Sequence, residues 1–173
     1  MIHYVDALKA RIRWPLFPWD RNAGKTFYIC FRINKTNNMK KNILLVDDDK
    51  IFNFLSEKTI TSLGLANEIS FASNGKQALD ILDVCKKGQL QIPDIIFLDL
   101  DMPVMNGYEF LEEFSKLDLP KKNDITIVVL TSSADPRDID RTKQMGIRYY
   151  YNKPLSRDEI KKLVGQEFSI YLN

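Results

Sequence analysis

Five polar side chains stand where apolar runs end, and their types are those of phosphoryl chemistry. Ile95-Ile96-Phe97-Leu98 reads as a fully buried strand that runs straight into Asp99, and Pro103 soon after opposes its continuation. Ile43-Leu44-Leu45-Val46 ends in Asp47-Asp48-Asp49, Ile125 to Leu130 ends in Thr131-Ser132-Ser133, and Ile147 to Tyr151 ends in Asn152-Lys153-Pro154. Alone, each has an ordinary explanation: an aspartate caps a helix, a threonine suits a strand, an exposed lysine is solvated. Gathered at the carboxyl ends of the strands of one sheet, they become a site.

The charges of that site need compensation. Two carboxylates about 4 Å apart repel by roughly 4 kcal/mol at an effective dielectric near 20. Lys153 supplies one positive charge and a divalent cation supplies two. Oxygen ligands without His or Cys favour Mg²⁺, with Mn²⁺ as a substitute. A metal, an amine, a hydroxyl and a carboxylate nucleophile together describe phosphoryl transfer onto Asp99, in which the protein mainly positions groups and neutralises charge.

The elements that must carry these groups follow from the hydrophobic rhythm. After the first run, Ile51, Phe52, Leu55, Lys58, Thr59 and Leu63 keep a helical spacing up to Gly64. Glu68 to Ala72 reads as a second strand, and Ser73-Asn74-Gly75 turns into a helix carrying Ala78, Leu79, Ile81, Leu82 and Cys85. Asn106-Gly107 precedes a helix with Phe110, Leu111, Phe114 and Leu117 on one face. A shorter helix spans about Pro136 to Met145 and ends at Gly146. Ser156 and Glu159 have the spacing of a capping box for a last helix through Leu163, Val164 and Phe168. Five strands alternating with helices predict an α/β fold with a parallel sheet covered on both faces.

Composition narrows the function further. Cys30 and Cys85 lie far apart and His3 is the one histidine, so neither a disulfide framework nor a zinc site is expected; a reducing cytoplasm is the expected location. The net charge of +2 divides into +5 over residues 1–38 and −3 over the remainder, and a mildly acidic body argues against a nucleic-acid interface. No apolar run approaches the ~20 residues of a membrane span. Residues 1–38, with Trp14-Pro15-Leu16-Phe17-Pro18-Trp19, read either as a poorly ordered basic extension or as a basic, aromatic membrane-surface or partner-binding arm. The first reading carries the expectation that translation starts at Met39, because Met39-Lys40-Lys41-Asn42 leads directly into the first strand.

Val46-Asp47-Asp48-Asp49, the run Asp99 to Gly107, Thr131-Ser132-Ser133 and Lys153-Pro154 together resemble the receiver domains of response regulators in two-component signalling, especially the chemotaxis-type single-domain members. The resemblance covers about residues 40–170 within a 39–173 receiver domain. It implies a doubly wound, flavodoxin-like five-stranded sheet in the order 2-1-3-4-5. It makes Asp99 the phosphoacceptor, Asp48 a direct metal ligand, Asp47 a contributor to the acidic pocket and Asp101 a metal ligand through its backbone carbonyl. Lys153 would pair with the phosphoryl group, Thr131 would move its hydroxyl onto it, and Tyr150 would be the aromatic that responds. The Lys153-Pro154 bond is often cis in such proteins.

The implied phosphodonor is a histidine kinase or histidine phosphotransfer protein. Output would pass through the face of the fourth helix, fifth strand and fifth helix, with no DNA-binding domain and no transmembrane segment. The protein would thus modify only itself and is not expected to be an enzyme. Two other readings compete: a haloacid-dehalogenase-like phosphatase using Asp99-Leu100-Asp101 with Thr131 and Lys153, and a phosphorylation-independent interaction module. The phosphatase wants its acidic pair after the lysine, whereas Asp47-Asp48 precedes the nucleophile.

Overall fold

The computed structural model describes residues 40–132 and 135–167, without the side chains of 164–167. The expected N-terminal extension, the start at Met39, Ser133 and Phe168 lie outside the described residues. The strands are β1 (Lys41–Val46), β2 (Ala66–Ala72), β3 (Ile95–Asp99), β4 (Thr126–Thr131) and β5 (Tyr149–Asn152). They alternate with α1 (Lys50–Ser62), α2 (Gly75–Lys86), α3 (Gly107–Lys116), α4 (Pro136–Gln144) and α5 (Arg157–Glu167). The strands are parallel and ordered β2-β1-β3-β4-β5, the doubly wound arrangement expected from the sequence.

Both faces of this sheet are covered, which is why its central strands are continuous apolar runs rather than alternating ones. Ile43, Leu45, Ile95, Phe97, Val128 and Leu130 form one core with Ile60 of α1 and with Ile160 and Leu163 of α5. The intervening residues Leu44, Val46, Ile96 and Leu98 pack on the opposite face against Ala78 and Leu82 of α2 and Phe110 and Leu111 of α3. Each helix is started by a local side chain. Asp49 accepts from the N–H groups of Ile51 and Phe52 at 2.8 and 3.2 Å, so the third aspartate of its triplet is a cap. Asn106 and Glu109 form a reciprocal capping box on α3, as Ser156 and Glu159 do ahead of α5.

Several boundaries differ from the sequence reading. β1 and β2 each begin two residues early, at Lys41 and Ala66, where the Lys41 N–H still bonds the Leu65 carbonyl. β5 begins at Tyr149 rather than Ile147, because the Ile147 N–H is engaged by the Thr142 carbonyl in closing α4. The spacing along α1 is helical, yet Ile51 and Leu55 are 71% and 54% exposed and the sheet is met instead by Phe52 and Ile60. A 3₁₀ turn at Lys122–Asp124, ahead of β4, has no counterpart in the sequence reading.

Phe110 is fully buried, so Phe110→Ala is expected to cost about 3–5 kcal/mol. Asn106→Ala, which removes only a cap, should cost about 1 kcal/mol. Urea unfolding of the two variants beside the wild type measures both.

Candidate functional site

The carboxyl edge of the sheet is assembled by short-range backbone bonds that leave each strand end little freedom. Register pairs Asp99 with Leu130 and Thr131 with Asn152, and the Lys153 N–H donates to the Thr131 carbonyl at 2.9 Å. The lysine therefore leaves β5 beside the threonine. The Lys153-Pro154 bond is cis. After β1, the Asp49 N–H donates to Asp47 Oδ1 at 2.9 Å and Asn53 Nδ2 to the Asp47 carbonyl at 2.8 Å, fixing the first turn of α1 on the strand end.

The loop after β3 is held as tightly. The Leu100 N–H donates to Asp99 Oδ1 at 2.8 Å, and the Gly107 N–H bonds the Leu100 carbonyl at 3.0 Å. Gly107 comes so close that a Cβ there would meet the Asp99 carbonyl oxygen and lie 2.8 Å from Leu100 Cα. Between them, the Met105 N–H bonds the Pro103 carbonyl at 2.9 Å around Val104, whose φ is 71°. That is a γ-turn with a β-branched residue at positive φ, a strained conformation next to the reactive strand end.

At the centre stands Lys153. Its Nζ lies 2.5 Å from Asp47 Oδ2 and 2.8 Å from Asp99 Oδ2, with the Phe52 ring centre 4.6 Å away on a third side. Asp47 Oδ2, buried, meets Lys153 as an ion pair. Burial opposes the charge on Lys153, but its bonds to Asp47 and Asp99 outweigh that and raise its pKa above the ordinary lysine value. Asp47 is also pushed up: burial outweighs the lowering by Lys153 and the Asp49 N–H. The lysine is charged and the pocket around it is costly to leave unpaired.

Asp47, Asp48 and Asp99 each offer a carboxylate oxygen within 4.8 Å of the others, Asp48 being exposed and the other two buried. This all-oxygen donor set, open on one side, suits a small hard cation that keeps some of its water. Thr131 is fully buried at the end of β4, and Tyr150 lies on the neighbouring strand β5, in register with Val129. Burial first, and the Asp138 carboxylate next, raise the pKa of the Tyr150 phenol. The structure thus brings Asp47, Asp48, Asp99 and Lys153 together and places Thr131 with Tyr150 beside them. The Asp101 side chain is exposed and outside the carboxylate cluster. Phe52 and Asn53 were not singled out in the sequence; helical spacing places them one turn past the acidic pair, but no local motif announces their contacts.

Comparison with known proteins accords with this arrangement. The family described as "Response regulator receiver domain" matches residues 43–165. The chain belongs to the response-regulator receiver family. The receiver is 32% identical to a two-component response regulator from Cytophaga hutchinsonii, whose crystal structure it matches with a TM-score of 0.68 over 75% of this chain and 98% of that one. It is 29% identical over 135 residues to the sporulation initiation phosphotransferase F of Bacillus subtilis, covering 78% of this chain and 99% of that protein.

The receiver domain of a sensor histidine kinase from Pseudomonas aeruginosa, 25% identical with a TM-score of 0.62 over 75% of this chain and 98% of that one, has a magnesium ion coordinated in its active site cleft. The chain spans about half the length of several curated transcriptional regulators that it also matches. The phosphatase alternative is not favoured: the acidic pair arrives from β1, and Asp158 and Glu159 occupy the first turn of α5.

Lys153→Met keeps the bulk of the side chain and removes its charge, leaving Asp47 and Asp99 opposed. It is expected to lower the unfolding free energy by about 3 kcal/mol at pH 7. In the variant Asp47, already pushed up by burial, loses the lowering by Lys153 and rises further above its unfolded value, so stability should be regained as pH falls toward 5. Urea titrations at both pH values test this, and a deficit that is the same at pH 5 and pH 7 would contradict it.

Proposed function

We propose that Asp99 accepts a phosphoryl group from the phosphohistidine of a histidine kinase or histidine phosphotransfer protein, and that the modified receiver presents an altered binding face to a partner. The observation that carries this reading is the Lys153 ammonium shared by Asp47 and Asp99 at the strand-end edge of a receiver fold. An Asp99 carboxylate oxygen attacks phosphorus, the P–N bond to the donor imidazole breaks, and the imidazole leaves. Lys153 neutralises a phosphoryl oxygen as its hold on the two carboxylates is redistributed. Asp47, Asp48 and Asp99, with the Asp101 carbonyl, would hold Mg²⁺, which would neutralise charge on the transferring oxygens.

The new group adds about −1.5 to −2 charge in a buried corner. Thr131, buried at the end of β4 beside β5, turns its hydroxyl onto a phosphoryl oxygen. The response of Tyr150 passes the event to β5 and to the face that β5 forms with α4 and α5. The chain acts as a cytoplasmic signalling protein that modifies only itself, and residues 39–173 constitute the receiver unit.

The donor has to cover the strand-end edge to reach Asp99. An exposed apolar row begins there: Ile51, Phe54 and Leu55 of α1 are 71%, 54% and 54% exposed, directly after the acidic triplet. We assign this row to the phosphodonor, leaving the α4, β5 and α5 face for output.

Labelling by the organism's histidine kinases in the presence of Mg²⁺ is the direct test. Wild type should take up phosphate to about one equivalent, whereas Asp99→Asn or chelation of Mg²⁺ should abolish uptake. Sustained turnover of a phosphomonoester would overturn the reading. Leu55→Lys should slow transfer from the kinase by about tenfold, a loss of one well-packed contact, while leaving labelling by a small acyl phosphate unchanged. Asp101→Asn, altering a carboxylate two residues from the acceptor, should change the phosphoryl lifetime in a decay assay.

A further inference from the structure

Helix α4 is mostly solvent-facing, and one contact that ties it to α3 lies outside the acidic pocket. Of its residues only Thr142 is buried, and that hydroxyl is spent on the helix's own carbonyls at Asp138 and Ile139. From the first turn of α3, however, Tyr108 reaches across and donates its hydroxyl to Asp138 Oδ1 at 2.7 Å. Arg141, one turn along α4, lays its guanidinium 3.8 Å from the centre of the same ring. The ring itself is only 9% exposed and shares a small core with Leu100 and Val129, against which Tyr150 also packs. Asp138 carries charge toward both phenols. Tyr108 is thus gripped by α4 from two positions while its ring touches the cluster in which Tyr150 sits.

We infer that Tyr108, Asp138 and Arg141 form a latch that fixes α4 on α3 and that any displacement of Tyr150 and α4 must work against. Tyr108 is a positioning residue in this scheme, acting on the output face without touching the phosphoryl site. The signalling half of the inference rests on the phosphoacceptor reading above; the anchoring half does not. A neutral hydroxyl bonded to a carboxylate in a largely desolvated spot is strong enough to matter, and its loss changes a local opening equilibrium by roughly tenfold.

The test is amide hydrogen exchange along α4 with beryllofluoride and Mg²⁺ as the phosphoryl mimic. Tyr108→Phe keeps the ring and should speed exchange of the α4 amides about tenfold, with the β1 and β3 amides unchanged. Asp138→Ala should do the same, and the double variant should be no faster than the faster single one, since both remove one bond. Unchanged exchange, or effects that simply add, would overturn the latch. Should Tyr108→Phe fail to fold, Arg141→Gln, altered at an exposed rim position, should shift exchange in the same direction.

Releasing a restraint on the switch should also tighten the apparent affinity of Tyr108→Phe for beryllofluoride, by about threefold or more. An unchanged affinity beside faster α4 exchange would overturn the coupling to the site. Absence of beryllofluoride binding by the wild type would instead sink the phosphoacceptor reading, with the exchange data still deciding the latch.

Discussion

A lysine ammonium held between two buried carboxylates is the contact on which this structure turns. Asp47 and Asp99 come from different strands and approach one another because the sheet places β1 beside β3. Lys153 makes that approach tolerable, lying 2.5 and 2.8 Å from them. The arrangement is poised rather than settled. Asp47 remains pushed toward its neutral form by burial, and an exposed third carboxylate, Asp48, stands by. Three carboxylates around one ammonium, with Asp48 exposed, make an all-oxygen donor set of the kind that suits a small hard cation.

The remainder of the molecule serves to hold that pocket at a fixed edge. Two apolar layers clamp the sheet, so the strand ends are set by core packing, with Asp47, Asp99 and Thr131 buried there and Asp48 exposed. The loop after β3 is tied by the Gly107 N–H and contains a residue at positive φ, which places local strain beside Asp99 rather than in the core. Phe52 closes one side of Lys153, its ring facing the ammonium. The reactive groups are thus preorganised by contacts that have no part in the chemistry.

The output side is built differently. Thr131 is fully buried beside β5, whereas α4 presents mostly polar residues and meets Tyr108 through Asp138 and Arg141. A rigid receiving edge joined to a lightly held helix is a sound arrangement for transmitting a local change. The stiff part fixes where the charge arrives, and the lightly held part has little free energy to overcome in responding.

The sequence by itself determined the elements and the polar groups at their ends. Apolar runs ending in Asp or Thr, and the aromatic run before Lys153, specify parallel strands with polar ends, because a strand covered on both faces leaves only its termini for chemistry. The capping box at Ser156 and Glu159 is equally local, and the same signature at Asn106 and Glu109 was there to be read. Tertiary structure decided what depends on neighbours distant in the chain. It turned Ile51 and Leu55 outward although their spacing is that of a core face, since the sheet meets α1 through Phe52 and Ile60. It took Ile147 from β5 to close α4, set Phe52 against Lys153, and joined Tyr108 to Asp138. Periodicity states that a helix has two faces; only the packed sheet determines which of them is buried, and only the approach of two helices can pair a phenol with a carboxylate 30 residues away.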